Sequence, residues 1–345
     1  MEKRNIIVIG ASAGGFEAIQ QLVASLPAGL QASIFIVWHM SPNVRGILPE
    51  VLNRKGAIPA THAINMEEIR PGHIYVAPPD YHLLIEKDRV RISRGPKENR
   101  FRPAVDPLFR SAAFAYGPRV IGVILSGALD DGTAGLWAIK AYGGLAVVQD
   151  PADAAVSAMP QNAMQAVHVD YKAPIAEMAA LLARLAGEEV PDGNGHDKGN
   201  MDRRTEMEVS VAMENESIKF NLLNEGRLTP YTCPECHGVL AAFSEGARMR
   251  FRCHTGHAFS ADSLLATITE NIEESLWSAI RSIQESERLL NHMGDHFAEI
   301  NQPKLAAMYF KKAKEAASRA HIVRQAVLNH EHLTTESIRQ QAISS

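Results

Sequence analysis

The sequence has few of the features that mark membrane, secreted or nucleic-acid-binding proteins. None of its apolar runs approaches the roughly 18 residues that cross a bilayer, and its N-terminus has no signal-peptide core. Lysine and arginine total 35 against 39 acidic residues, so the whole chain lacks a basic nucleic-acid-binding character. Its three cysteines, an odd number, cannot all pair within the chain. We therefore expect a cytoplasmic protein with no membrane insertion and no nucleic-acid partner.

The first half of the chain alternates strand-like with helix-like segments. Three of the predicted strands are near-continuous apolar runs, which are typical of parallel strands buried on both faces. Helical patterns such as Thr133–Ala141 lie between strands, and they predict a doubly wound, mostly parallel α/β sheet. The predicted strands are Asn5–Ile9, Ser33–Val37, His73–Ala77, Val120–Leu125 and Leu145–Val148.

Composition divides the chain into four predicted parts. The α/β domain spans residues 1–186, and the polar, glycine-rich stretch 187–218 is predicted to be a flexible linker. A small module follows at 219–260. Apolar residues then recur at spacings of three and four on both sides of Pro303, which predicts a helical hairpin over 261–335.

A glycine-rich turn, Gly10–Gly15, follows the first predicted strand and opens a helix. Such a turn can cradle the phosphates of a dinucleotide at the helix N-terminus. Alternatively, it places Ser12 on a tight strand-to-helix turn, the arrangement of a nucleophile elbow. A dinucleotide fold uses an acidic residue at the end of its second strand, yet no acid occurs between Glu17 and Glu50.

A histidine, His39, stands at the end of the second strand instead. Two aspartates, Asp130 and Asp131, follow the strand Val120–Leu125. Because parallel strands present their carboxyl ends at one edge of a sheet, these side chains and Ser12 are expected to meet there. A serine, a histidine that takes its proton and a carboxylate that holds the histidine are the parts of a catalytic triad.

All three cysteines fall within one short window near the C-terminal third of the chain. The first two cysteines have two residues between them, and the third follows after 16 more residues and precedes two histidines, which is a zinc-ribbon spacing. We predict a structural zinc site because a module this small gains stability from a metal. The predicted ligands are Cys233, Cys236, Cys253 and His257, with His254 and His237 as alternatives to His257.

Several of these motifs resemble those of the chemotaxis protein-glutamate methylesterase family, CheB. The resemblance covers residues 5 to about 185, with the motifs in the order of the family. A C-terminal extension of this kind is similar to those of family members that lack a receiver domain. The motifs are Gly10–Gly15, Trp38–Met40, Ile74–Asp80, Phe101–Asp106, Ser126–Gly135 and Ala158–Pro160.

The resemblance implies Ser12 as the nucleophile, His39 as the base and Asp131 as the acid, with no catalytic cofactor. Family members hydrolyse γ-glutamyl methyl esters on the cytoplasmic helical bundle of chemoreceptors and release methanol, and some also deamidate receptor glutamines. Other chemotaxis-type signalling proteins are then expected partners. Ala128 and Leu129 stand where the family commonly has Met-Gly.

The first predicted strand begins at residue 5, so we expect the receiver-less form of the family. A catalytically idle regulatory or binding protein is the alternative to an esterase, although the presence of all three triad residues argues against it. A dinucleotide-dependent enzyme is the third hypothesis for the function of the chain.

Overall fold

The computed structural model forms two compact units, Met1–Leu264 and Leu265–Ser345. Each is considered by itself below. The structure describes residues 2–40, 46–190, 199–214, 226–245, 248–334, 337–338 and 341–342.

The centre of the first unit is a sheet in which every strand pairing is parallel. The strand order is β3-β4-β2-β1-β7-β8-β9. This arrangement confirms the predicted parallel sheet, and the predicted strands agree with the observed ones to within two residues at each end. The strands are β1 (Ile6–Ala11), β2 (Ser33–Trp38), β3 (Ala60–His62), β4 (His73–Val76), β7 (Val120–Ile124), β8 (Leu145–Gln149) and β9 (Tyr171–Ala173).

Helices cover both faces of this sheet. The odd-numbered residues of β1, such as Ile7, pack with α1, α2 and α6, whereas its even-numbered neighbours, such as Ile6, pack with α3, α4 and α5. Burial on both faces explains why the strands are apolar along their whole length. The helices are α1 (Gly15–Ala24), α2 (Leu48–Lys55), α3 (Val105–Tyr116), α4 (Thr133–Ala141), α5 (Ala158–Ala166) and α6 (Ile175–Leu185).

An antiparallel hairpin of β5 (His82–Glu86) and β6 (Arg89–Ser93) packs on α3. A further helix, α7 (Gly199–Ala212), packs its Val209 against Leu84 of this hairpin. Here the structure differs from the flexible linker expected over 187–218. The sequence of α7 is polar overall, and its few apolar residues find a partner surface that composition does not reveal. Residues 191–198 and 215–218 of that predicted linker lie outside the described residues.

The remainder of the first unit is an antiparallel sheet in the order β10-β11-β12-β13, called the ribbon module below. Its small core includes Cys233, Cys253 and Phe259. Residues 219–225 and 246–247 of the module predicted over 219–260 lie outside the described residues. The strands are β10 (Arg227–Thr232), β11 (Val239–Glu245), β12 (Arg248–Cys253) and β13 (Ala258–Ser260).

Two long helices, α8 (Ala261–Glu299) and α9 (Pro303–Leu328), follow in the predicted hairpin region 261–335. The chain breaks between them at residues 300–302, where proline starts the second helix, as the sequence predicts. Residue 335 is outside the described residues. Within the part of the chain that the structure describes, no helix is both long and apolar enough to cross a membrane.

Candidate active site

Ser12, His39 and Asp131 all lie at the carboxyl edge of the parallel sheet, after β1, β2 and β7 respectively. In the sheet, β1 lies between β2 and β7, so the chain changes its winding direction at this place. Open α/β sheets bind their ligands at such a switch point. The structure therefore brings the three predicted residues to the position where this fold class places its sites.

Ser12 lies in the tight turn between β1 and α1. Gly14 in this turn has a φ of 71°, which favours glycine. A Cβ atom on Gly14 would also lie 2.6 Å from Ala155 Cβ and 2.7 Å from Ser126 Oγ. The Trp38 indole N–H donates to the Ser12 carbonyl at 3.0 Å. The turn thus fixes Ser12 on a sharp strand-to-helix corner, as in a nucleophile elbow.

His39 links the other two residues. Its Nδ1 lies 3.1 Å from Ser12 Oγ, and its Nε2 lies 2.7 Å from Asp131 Oδ2. Because an ionised carboxylate can only accept, Nε2 carries the proton and Nδ1 accepts from the Ser12 hydroxyl. The two ring nitrogens are used in the reverse order from the Ser-His-Asp template, in which Nε2 faces the serine.

Asp131 is buried, with 2% of its surface exposed. Besides His39, it accepts the Val105 N–H on Oδ2 at 2.6 Å and the Asn99 side-chain N–H on Oδ1 at 2.8 Å. Burial by itself raises the pKa of Asp131, but the hydrogen bond from His39, with those from Val105 and Asn99, lowers it below the ordinary value. Asp131 is therefore ionised at neutral pH, the state that can orient an imidazole.

Asp106 is a second buried carboxyl beside Asp131, and its pKa is shifted in the opposite direction. The pKa of Asp106 is raised to about 6, mainly because the carboxyl is buried. The positive charge of Arg250 lowers this pKa, and the negative charge of Asp131 raises it. Its oxygens accept the Gly135 N–H at 2.7 Å and the Asn99 side-chain N–H at 2.9 Å. Asp106 thus supports the start of α4, next to Asp131.

Asn99 and Phe101 are not among the site residues predicted from the sequence, yet both contact the predicted triad. Phe101 stacks on the His39 ring with centroids 3.8 Å apart and planes 12° from parallel. Phe101 stands at the start of a family-like motif, which is a usable signal. Asn99 precedes that motif, and its role depends on a contact with Asp131, which lies 32 positions away. Spacing alone does not mark such a loop residue.

Two backbone features concern the oxyanion that ester hydrolysis would form. The Ser12 N–H already donates to the Ser126 carbonyl at 2.9 Å, so the Ala13 N–H becomes our candidate donor. Leu129, in the turn between β7 and α4, has a φ of 60°. A left-handed conformation costs a non-glycine residue about 1 kcal/mol. The Asn162 side chain donates to the Leu129 carbonyl at 2.9 Å and holds this turn.

The predicted metal ligands also come together. Within the described residues, one donor atom from each of Cys233, Cys236, Cys253 and His257 lies within 4.8 Å of all the others. Cys236 and Cys253 sulfurs are 3.6 Å apart, and His257 Nδ1 lies 3.5 Å from Cys253 and 3.8 Å from Cys233. The structure thus brings His257 into the cluster, whereas the alternative His254 is exposed.

Comparison with known proteins decides the family. The sequence model of the CheB methylesterase family matches residues 7–182, just over half of the chain. The chain belongs to the CheB methylesterase family. The catalytic domain of the Thermotoga maritima CheB methylesterase, a crystal structure, is 32% identical with a TM-score of 0.51, and the match covers 54% of this chain and all of that one.

Two relatives are similar to this chain over the same region. A Leptospira interrogans protein is 44% identical over 180 residues, covering 52% of this chain and 93% of that protein. Its name gives it, provisionally, as a protein-glutamate methylesterase/protein-glutamine glutaminase. A Methanosarcina mazei protein-glutamate methylesterase/protein-glutamine glutaminase is 36% identical over 190 residues, covering 53% of this chain and 52% of the relative.

Proposed function

We propose that this CheB-family chain is a serine esterase that hydrolyses γ-glutamyl methyl esters on chemoreceptors. The observation that carries the proposal is the hydrogen-bonded series Ser12–His39–Asp131 at the carboxyl edge of the sheet. The names of the relatives support the substrate class, since they are protein-glutamate methylesterases. No finding favours the alternative of a catalytically idle regulatory or binding protein. Membership of this esterase family argues against a dinucleotide-dependent enzyme.

The geometry supports a two-step reaction. His39 Nδ1 takes the proton as Ser12 Oγ attacks the ester carbonyl, and the Ala13 N–H stabilises the oxyanion. Methanol leaves with the proton from Nδ1, which gives a glutamyl ester on Ser12. Water then gives a proton to the same nitrogen as it attacks the acyl carbon, and Nδ1 returns that proton to Ser12 Oγ as the glutamate leaves. Asp131 keeps the imidazole oriented and stabilises its cation throughout.

Glutamine side chains would enter the same reaction, with ammonia as the leaving group in place of methanol. The relatives carry a protein-glutamine glutaminase name as well, which supports this second activity. The partner is then the methylated helical bundle of a chemoreceptor in the cytoplasm, and other chemotaxis-type signalling proteins are further partners. We assign this chemistry to residues 1–186, without a catalytic cofactor.

Methanol release from membranes that carry methylated chemoreceptors tests the proposal. We expect wild type to release methanol, and Ser12→Ala to lose the activity because no other group can form the acyl intermediate. Ser25→Ala is the matched control, because Ser25 is an exposed serine at the end of α1 and lies outside the site. Wild-type release by Ser12→Ala, or no release by folded wild type across several receptors, would refute an esterase based on Ser12.

We further propose that Cys233, Cys236, Cys253 and His257 hold a structural zinc ion in the module predicted over 219–260. Zinc–sulfur bonds of about 2.3 Å and zinc–nitrogen bonds of about 2.0–2.1 Å in a tetrahedron separate two sulfurs by about 3.8 Å, and sulfur from nitrogen by about 3.5 Å. The observed separations of 3.6, 3.5 and 3.8 Å fit these values. Four protein ligands leave no open position, which is typical of a structural site.

Elemental analysis of the purified chain tests this assignment. We expect about one zinc per chain in wild type, much less in Cys236→Ser, and the wild-type amount in His254→Ala and His237→Ala. Clearly less than one zinc in metal-replete wild type would contradict the site. Loss of zinc in His254→Ala or His237→Ala would move the fourth ligand.

A further inference from the structure

The loop 97–101 carries Asn99 and Phe101 of the candidate active site, and the ribbon module contacts its other side. The Asn99 backbone N–H donates to the Ala258 carbonyl at 2.8 Å, and the Ala258 N–H donates to the Lys97 carbonyl at 3.2 Å. Lys97 Nζ also lies 3.0 Å from a carboxylate oxygen of Glu235. Strand β13 of the module is thus hydrogen-bonded through its backbone to the loop that carries Asn99 and Phe101.

Glu98 fixes the same loop through buried charges. Its carboxylate is 1% exposed and lies 2.5 Å from Arg110, 3.0 Å from Arg250 and 3.2 Å from Arg252. Burial raises the pKa of Glu98, but the three guanidinium groups hold it well below its usual range. Arg252 also pairs with Glu208 of α7. Since a buried charge is costly without its partner, loop and module are held as one structure.

The Asn99 side chain connects the module to the two buried carboxyls. Its amide N–H groups donate to Asp131 Oδ1 at 2.8 Å and to Asp106 Oδ2 at 2.9 Å. Its oxygen accepts the Ser260 backbone N–H at 2.9 Å and the Ser263 hydroxyl at 3.2 Å. Two donors and two lone pairs are the full capacity of an amide. The serines therefore fix which way the amide points, with its donors toward the acids.

Strand β13 starts directly after His257 of the metal cluster, so a metal that fixes His257 also fixes the contacts of β13 with Asn99. We propose that Asn99 is a positioning residue for the Asp131–His39 pair and that metal in the ribbon module holds Asn99 in place. Esterase turnover then depends on this metal, although the metal does not touch the substrate. The contact supports the site without blocking it, because Asn99 bonds Oδ1 of Asp131 while His39 bonds Oδ2.

A double-mutant cycle on the full chain tests this coupling, with p-nitrophenyl acetate as the probe ester. Asn99→Gly removes the amide while glycine tolerates the φ of 48° at this position, and Cys236→Ser removes the metal. We expect each variant to slow acylation about tenfold, the effect of one charge-assisted hydrogen bond. The burst amplitude stays at about one per chain, because the fold is kept. The double variant is also about tenfold slower, since the metal acts through Asn99.

His254→Ala is the control, because His254 is an exposed neighbour of Cys253 outside the cluster, and we expect wild-type zinc and rate. Effects that multiply to about a hundredfold in the double variant, or a wild-type rate in either single variant, would overturn the proposal. If Cys236→Ser lowers the burst amplitude, removal of zinc from the wild-type and Asn99→Gly chains with a chelator replaces it in the cycle.

The kinetic measurements rest on the proposed function, so a measurement without substrate accompanies them. The imidazole N–H that His39 donates to Asp131 gives a downfield proton resonance, which His39→Gln identifies. We expect both single variants to shift or broaden it, and an unchanged resonance in both would overturn the inference. No methanol release by folded wild type from methylated receptors would refute the proposed function alone, because the resonance still decides whether Asn99 positions the pair.

Discussion

The substitution Asp131→Asn tests the candidate active site most directly, because each oxygen of Asp131 accepts two hydrogen bonds. Oδ1 accepts from the Asn99 side chain at 2.8 Å and from the Asp106 N–H at 3.3 Å, and Oδ2 accepts from His39 at 2.7 Å and from the Val105 N–H at 2.6 Å. An asparagine side chain has one oxygen. Its NH₂ group would face two donors whichever way it turned.

The structure sets the size of both expected effects. The two backbone donors bond different oxygens, Val105 N–H to Oδ2 and Asp106 N–H to Oδ1, so one of these buried donors loses its acceptor whichever way the amide turns, at about 1–3 kcal/mol. We therefore expect the free energy of unfolding to fall by about 2 kcal/mol. If the NH₂ group faces His39, the imidazole must present the other tautomer. In the template triad the equivalent change lowers kcat about 10⁴-fold, or about 5 kcal/mol of barrier.

Acylation by p-nitrophenyl acetate and urea unfolding measure the two effects separately. The matched control is Asp130→Asn, one position earlier, where the half-buried carboxylate accepts from the Ser260 hydroxyl. We expect that control to change the rate by no more than a few-fold. An Asp131→Asn rate within tenfold of wild type would refute the role of Asp131, and a rate lost in the control instead would move the acid to Asp130.

Two further predictions concern the surroundings of the triad. In Gly127→Ala, the added Cβ would lie 2.0 Å from Met159 Sδ and 2.9 Å from Ser12 Cβ, so we expect a loss of about 1–3 kcal/mol of stability and about a hundredfold in rate. Gly29→Ala, where a Cβ meets nothing within 4 Å, is the control, and equal rates in the two variants would contradict the packing argument. For Asp106, with a pKa of about 6 against an ordinary 3.8, the folded state holds a proton that the unfolded state has lost. The contribution of Asp106 to the free energy of unfolding therefore falls, by up to about 3 kcal/mol, as pH rises from about 4 to about 6. The carboxyl carbon resonance of Asp106 measures its pKa, and titration below pH 4 would contradict this prediction.

The sheet and the positions of Ser12, His39 and Asp131 could be predicted because they depend on local patterns. Apolar runs mark strands that are buried on both faces, and parallel strands bring the residues that follow them to one edge. The spacing of the cysteines predicts their cluster for a similar reason, since the ligands lie at the turns between neighbouring antiparallel strands.

The parts that could not be predicted depend on long-range contacts. Helix α7 is polar by composition, and it folds against Leu84 of a distant hairpin and pairs Glu208 with Arg252. The support of the triad by Asn99 depends on Ser260, which lies 161 positions away in the sequence. A single sequence carries no pattern for such pairs, because the local periodicity of a helix or strand does not indicate which distant element its residues will contact.

The enclosure of His39 has a consequence for the order of events in the proposed reaction. Phe101 covers one face of the imidazole, Asp131 occupies Nε2, and the side chain is 3% exposed. The departing alcohol and the incoming water must therefore exchange protons with the same atom, Nδ1, one after the other. An added alcohol would compete with water for that atom and re-esterify the glutamate, so the enzyme would also catalyse methyl exchange on its own substrate.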